Sequence, residues 1–95
     1  MTTYVLSCVD KADSLDVRMG AREAHLAYVG ANREMVKAAG PYLDESGQMA
    51  GSMFILEAAD KAAVEVFSAA DPYRLAGLFD HVDIHVWRVT IGALT

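Results

Sequence analysis

The stretch Val36–Glu57, VKAAGPYLDESGQMAGSMFILE, decides the fold. Its first part, Val36–Tyr42 (VKAAGPY), is ambiguous between a helix end and a short strand when read alone. Asp44-Glu45-Ser46-Gly47 is turn material, and Ser52–Glu57 (SMFILE) reads as a strand. Strand, turn and strand make a hairpin, and that settles the first part as extended. Pro41 has no N–H to give a sheet ladder, so the strand that carries it must be an edge.

Working outward, Thr3–Val9 (TYVLSCV) is β-branched, aromatic and almost wholly apolar, and reads as a buried strand. Asp10–Ser14 is a polar turn. Asp13 or Ser14 is placed to cap a helix with Asp16 in its first turn, running from about Leu15 into the low thirties. Gly20 and Gly30 weaken this helix, and a start after Gly20 is the alternative. Beyond the hairpin, Asp60–Ala69 (DKAAVEVFSA) brings Ala63, Val64 and Phe67 to helical spacing, and Asp71-Pro72-Tyr73 interrupts it. His81–Val89 (HVDIHVWRV) alternates as a strand, with Val82, Ile84 and Val86 on one face. The order βαββαβ is the ferredoxin-like α+β plan, a four-stranded antiparallel sheet whose second strand is an edge, as Pro41 requires. Two helices cover one sheet face only. Yet Tyr4–Val9 and Met53–Leu56 are apolar on both sides, so the uncovered face would be a large apolar patch on a monomer. Two such sheets packed face to face form a homodimer, a dimeric α+β barrel.

A length of 95 residues suits one domain over 1–95. At 54% hydrophobic and 22% charged the chain is globular, and a net charge of −5 argues against nucleic acid as a partner. No apolar run is long enough for a membrane span, and no secretory leader opens the sequence. Cys8 is the one cysteine, so no internal disulfide forms, and the expected location is cytoplasmic.

Against this acidic background Arg18, Arg22 and His25 fall at spacings of four and three, on one stripe of the first helix. Such a stripe attracts anions, and two arginines favour the neutral form of a neighbouring histidine. The arginines can equally pair with Asp16, Glu23 or carboxylates of a second copy. His81, Asp83 and His85 share one strand face, a geometry that can hold zinc but is also what an outward face looks like; no metal is expected. Cys8, in a buried strand, reads as a small hydrophobe, and Tyr4 and Trp87 as core or pocket lining. The chain has no phosphate loop, dinucleotide fingerprint or Gly-x-Ser-x-Gly elbow.

Several segments in order, namely Asp10–Leu15 with Arg18, Arg22–Ala27, Ala39-Gly40-Pro41, Gly51-Ser52, Ala70–Tyr73 and Ala76–Phe79, resemble the YciI-like (YCII-related) family over nearly the whole chain. The combination of Arg-x-x-His-Leu with a later Asp-Pro-Tyr is the specific part. Gly30 departs from the family pattern, at the helix end. The resemblance implies the dimeric α+β barrel fold, as in muconolactone isomerase, and a His–Asp pair that would be His25 and Asp71. Asp71 directly before Pro72 is also what a helix N-cap looks like, and both roles can hold at once. The expectation is a small homodimeric enzyme without cofactor. His25 would move a proton, Asp71 would orient it, and Arg18, Arg22 and Tyr73 would bind substrate. Such a set suits isomerisation of, or elimination from, a small oxygenated metabolite, cyclic or aromatic-derived. The alternatives are a non-catalytic ligand-binding or accessory dimer and a dimeric α+β barrel oxygenase.

Overall fold

A computed structural model describes residues 1–94. Strand β1 (Thr2–Asp10) leads to helix α1 (Leu15–Ala31), the hairpin β2 (Val36–Leu43) and β3 (Met49–Ala58), helices α2 (Lys61–Ala69) and α3 (Pro72–Leu75), and strand β4 (Phe79–Val86). The sheet order is β2-β3-β1-β4 with every pair antiparallel, so β2, carrying Pro41 opposite Ser52, is an edge strand. This is the ferredoxin-like α+β arrangement. No helix among the described residues is long and apolar enough to cross a membrane.

The hairpin closes through Asp44, whose carboxylate accepts hydrogen bonds from the Ser46 N–H, the Ser46 hydroxyl and the Gln48 N–H. Those bonds hold its pKa below the usual carboxylate value. Gly47, at φ 87°, supplies the left-handed residue of the turn. Gly51 is required for a different reason. A Cβ there would lie 2.5 Å from the Cys8 carbonyl oxygen and 2.8 Å from Cδ2 of Tyr42, whose ring covers it across the strand pair.

Alternation puts Tyr4, Leu6 and Cys8 of β1 on the same face as Phe54, Leu56 and Ala58 of β3, and there α2 adds Val64 and Phe67 to make the core. Phe67 meets Phe54 edge-on at 5.6 Å and stacks with Tyr28 of α1 at 5.2 Å. The Tyr28 hydroxyl donates to the Phe67 carbonyl oxygen at 2.8 Å, tying α1 to α2. Each such apolar side chain contributes on the order of 1.5–3 kcal/mol by burial, so α1 retains Gly20 and Gly30, whose helix cost is about 1 kcal/mol each. Among the described residues no helix covers the opposite sheet face. That face presents Val5, Val9, Met53 and Ile55, with a hydrogen bond of 2.8 Å between the Ser7 and Tyr42 hydroxyls.

The helix begins at Leu15, as expected, and the alternative start after Gly20 drops out. Other local expectations need correction. Ser14 is the N-cap residue of α1, but the hydroxyl is turned back to donate to the Ala12 carbonyl oxygen at 3.1 Å and caps nothing. At φ −115° and ψ 20°, Ser14 lacks the extended backbone that would aim its oxygen into the first turn. Strand β4 starts two residues earlier than His81 and ends at Val86, before Val89. Trp87 keeps one ladder bond, to the Thr3 carbonyl oxygen, and at 39% exposed it lies outside the core and lines a surface cavity with Thr3, Glu57 and Val86.

Candidate active site

The stripe of α1 that holds Arg18, Arg22 and His25 faces the sheet, while the apolar Val17, Met19 and Leu26 are exposed. Arg18 is 2% exposed, and a buried guanidinium must be fully paired. Its Nε and Nη2 donate to the two carboxylate oxygens of Asp10, at the end of β1, at 2.8 and 2.9 Å. Nη2 also donates to Ser52 Oγ of β3 at 2.9 Å. Burial works against this charge, but the hydrogen bonds and negative charge of Asp10 outweigh it and hold the Arg18 pKa above its ordinary value. Asp10 is therefore the partner, in place of Asp16 or Glu23, and one cation of the stripe is neutralised.

Seven residues along, His25 Nδ1 lies 2.8 Å from Oδ1 of Asp71. The same Oδ1 accepts the Tyr73 N–H at 2.9 Å, capping α3, whose first residue is Pro72. An ionised carboxylate only accepts, so the pair sets the imidazole with its proton on Nδ1 and Nε2 on the other side of the ring. Asp71 is 2% exposed and His25 8%. Tyr73 stacks on His25 with ring centroids 3.8 Å apart and planes 15° from parallel, and Phe54 meets the imidazole edge-on at 5.9 Å. The Arg18 guanidinium lies 4.5 Å from the Tyr73 ring centroid.

A cavity of about 280 Å³ opens between α1 and strands β2 and β3. Arg18, Arg22, His25 and Ser52 supply its polar groups, and Leu26, Val29, Pro41 and Phe54 its apolar walls. That volume is at the small end for a ligand pocket and matches a single ring. Arg22 is the free cation here. Its Nη1 contacts Met49 Sδ at 2.9 Å, a weak acceptor, and among the described residues no carboxylate is within ion-pair distance. Of the five residues singled out from the sequence, Arg18, Arg22 and His25 line the cavity. Asp71 and Tyr73 lie behind His25, and Tyr73, 1% exposed, does not reach the cavity.

That Asp10 and Ser52 partner Arg18 is not readable from the sequence, because no spacing rule links a helix to a strand end or to the next strand but one. Cys8 lies beneath this polar layer. Burial, reinforced by the Asp71 carboxylate, pushes its thiol up to about 12, so it is no nucleophile at neutral pH. His81, Asp83 and His85 stand in a row on the helix-free face, and among the described residues no three metal-ligating side chains converge.

The chain matches the YCII-related domain over residues 2–88. It is 35% identical over 93 residues to protein YciI of Escherichia coli O6:H1, covering 90% of this chain and 95% of that protein. Among solved structures, it superposes with a TM-score of 0.84 on 5-chloro-2-hydroxyhydroquinone dehydrochlorinase (TftG) from Burkholderia phenoliruptrix, in complex with 2,5-dihydroxybenzoquinone. That pair is 31% identical and covers 90% of this chain and 93% of the other. An antibiotic biosynthesis monooxygenase, at 14% identity, 96% coverage of this chain, 100% of its own and a TM-score of 0.56, shares the fold alone. With a domain match across nearly its whole length and this identity to YciI, the chain belongs to the YCII-related family, in the dimeric α+β barrel fold class.

Proposed function

We propose that this protein is a cofactor-independent acid–base enzyme of the isomerase or lyase type. Its substrate is a small, cyclic or aromatic-derived metabolite bearing acidic oxygens. The observation that carries the reading is the 2.8 Å contact between His25 Nδ1 and Asp71 Oδ1 at the back of a cavity with one free guanidinium. His25 Nε2 takes the proton of a substrate hydroxyl, and the resulting imidazolium is stabilised by Asp71. Arg22 holds the oxyanion that forms. The proton then returns to a ring carbon, which completes an isomerisation. Where that carbon bears a leaving group, His25 then removes a second hydroxyl proton, the oxygen's electron pair forms a carbonyl as the carbon–leaving-group bond breaks, and the group departs as an anion, so that the net change is loss of its acid. The dehydrochlorinase named among the similar structures belongs to this second type of reaction, which supports trying its substrate first.

The functional unit in this reading is a homodimer through the helix-free face, where the apolar Val5, Val9 and Met53 are otherwise partly exposed. The test is anaerobic incubation with 5-chloro-2-hydroxyhydroquinone and related hydroxylated rings, read by chloride release and by the product spectrum. Turnover that His25→Ala abolishes while the circular dichroism stays unchanged supports the proposal. A ring compound that binds and is recovered unaltered would assign a binding role instead, and enzyme-dependent oxygen uptake with a quinol in a parallel aerobic run would assign an oxygenase.

A further inference from the structure

We infer that Tyr73 is a positioning residue for His25, acting through its ring and without touching substrate. The inference rests on the proton-transfer role of His25 proposed above. The hydrogen bond to Asp71 fixes one atom of the imidazole, and a ring held at one atom can still swing about it. The Tyr73 ring removes that freedom by lying flat against the imidazole, 3.8 Å away and 15° from parallel. Tyr73 is itself immobilised from several sides. Its N–H is bound by the same Asp71 Oδ1 that receives His25. Its ring meets Phe79 edge-on at 6.2 Å and carries the Arg18 guanidinium at 4.5 Å. Arg18 is in turn clamped by both oxygens of Asp10 and by Ser52.

The clamp therefore has a purpose beyond pairing a buried charge. It presses a planar cation on the tyrosine whose ring aligns the histidine. Loss of alignment by about 1 Å is enough to cost on the order of a hundredfold in rate. A stacked ring is the chemical requirement, so phenylalanine satisfies it and an aliphatic side chain does not.

The experiment compares Tyr73→Leu with Tyr73→Phe. Side-chain nitrogen and carbon NMR of His25 in the ligand-free protein reports ring alignment, and steady-state kinetics follow on any compound the parent protein turns over. Tyr73→Leu is expected to broaden or split the His25 ring resonances, with kcat falling about tenfold to a hundredfold and KM within about threefold. Tyr73→Phe is expected to restore both the resonances and most of kcat. If Tyr73→Leu does not fold, Tyr73→Met, unbranched and non-aromatic, makes the same contrast. A wild-type His25 spectrum in the aliphatic variant would overturn the inference, and so would a Tyr73→Phe that behaves like Tyr73→Leu. The NMR arm needs no substrate, so an enzyme that turned over nothing would defeat the proposed activity and leave the positioning role to be decided separately.

Discussion

One carboxylate oxygen of Asp71 carries two loads, and replacing the residue separates them. Oδ1 accepts from His25 Nδ1 at 2.8 Å and from the Tyr73 N–H at 2.9 Å. Asp71→Ala removes both. The lost cap costs about 1 kcal/mol, and a buried imidazole nitrogen without a partner costs roughly 1–3 kcal/mol more. For a domain of this size each kcal/mol lowers Tm by about 4–8 °C, so the fall should be roughly 8–32 °C. Asp71→Asn behaves differently. Its carboxamide oxygen can take both hydrogen bonds, and the cap forbids a flip, since the NH2 would then face the Tyr73 N–H. The neutral His25 tautomer, with its proton on Nδ1, is therefore kept, and stability should change by less than about 1 kcal/mol. What is lost is the negative charge that stabilises the imidazolium. A hydrogen bond to a charged group contributes roughly 1.5–3 kcal/mol, and at 1.36 kcal/mol per tenfold that loss lowers kcat by about ten- to a hundredfold. Thermal unfolding followed by circular dichroism measures the stability arm, nitrogen NMR of His25 the tautomer, and initial rates the chemistry. If Asp71→Asn unfolds as early as Asp71→Ala, or if its His25 adopts the other tautomer, the shared oxygen does not govern this site and the reasoning fails.

Arg18→Ala strands the Asp10 carboxylate, which is only 6% exposed, and should cost roughly 3–5 kcal/mol in urea unfolding. Asp10→Asn in the same chain should recover part of that, whereas a single-variant cost below about 1 kcal/mol would mean that the pair is solvated. The Cys8 thiol, pushed up to about 12 from 9.0, should resist alkylation at pH 8 until the protein unfolds. Its native pKa lies above the unfolded one, so its contribution to stability is complete below about pH 9 and is lost as pH climbs toward about 12. Alkylation of the native protein as fast as of the unfolded one would contradict this. Light scattering at micromolar concentration should give about twice the 10.2 kDa chain mass, and a stable monomer would remove the proposed barrel dimer.

Much of the architecture was legible in the order of residues because it rests on local signals. A β-branched, aromatic and almost wholly apolar run marks β1, the Asp44–Gly47 turn marks the hairpin, and the missing N–H of Pro41 forces β2 to the edge. Asp71 before Pro72 announces a helix start, and the spacing of Arg18, Arg22 and His25 places them on one helical face. The direction of that face was not legible. The apolar residues do not define one face, because Val17 lies on the opposite side of the helix from Met19 and Leu26; all three are exposed, and α1 presents to the sheet the polar stripe with Tyr28 and Val29 beside it. Asp10 and Ser52 make this tolerable by satisfying the buried Arg18 guanidinium. Tyr73, expected at the substrate, lies behind His25 because its backbone is pinned by the Asp71 cap and its ring is enclosed by Arg18, His25 and Phe79. The sequence by itself determined the elements, the edge strand and which side chains share a helical face, since these depend on backbone geometry over a few residues. Which way that face points, and which distant group neutralises each charge, only the tertiary structure decided, because the cost of burying an ion depends on partners that the chain brings together from across the fold.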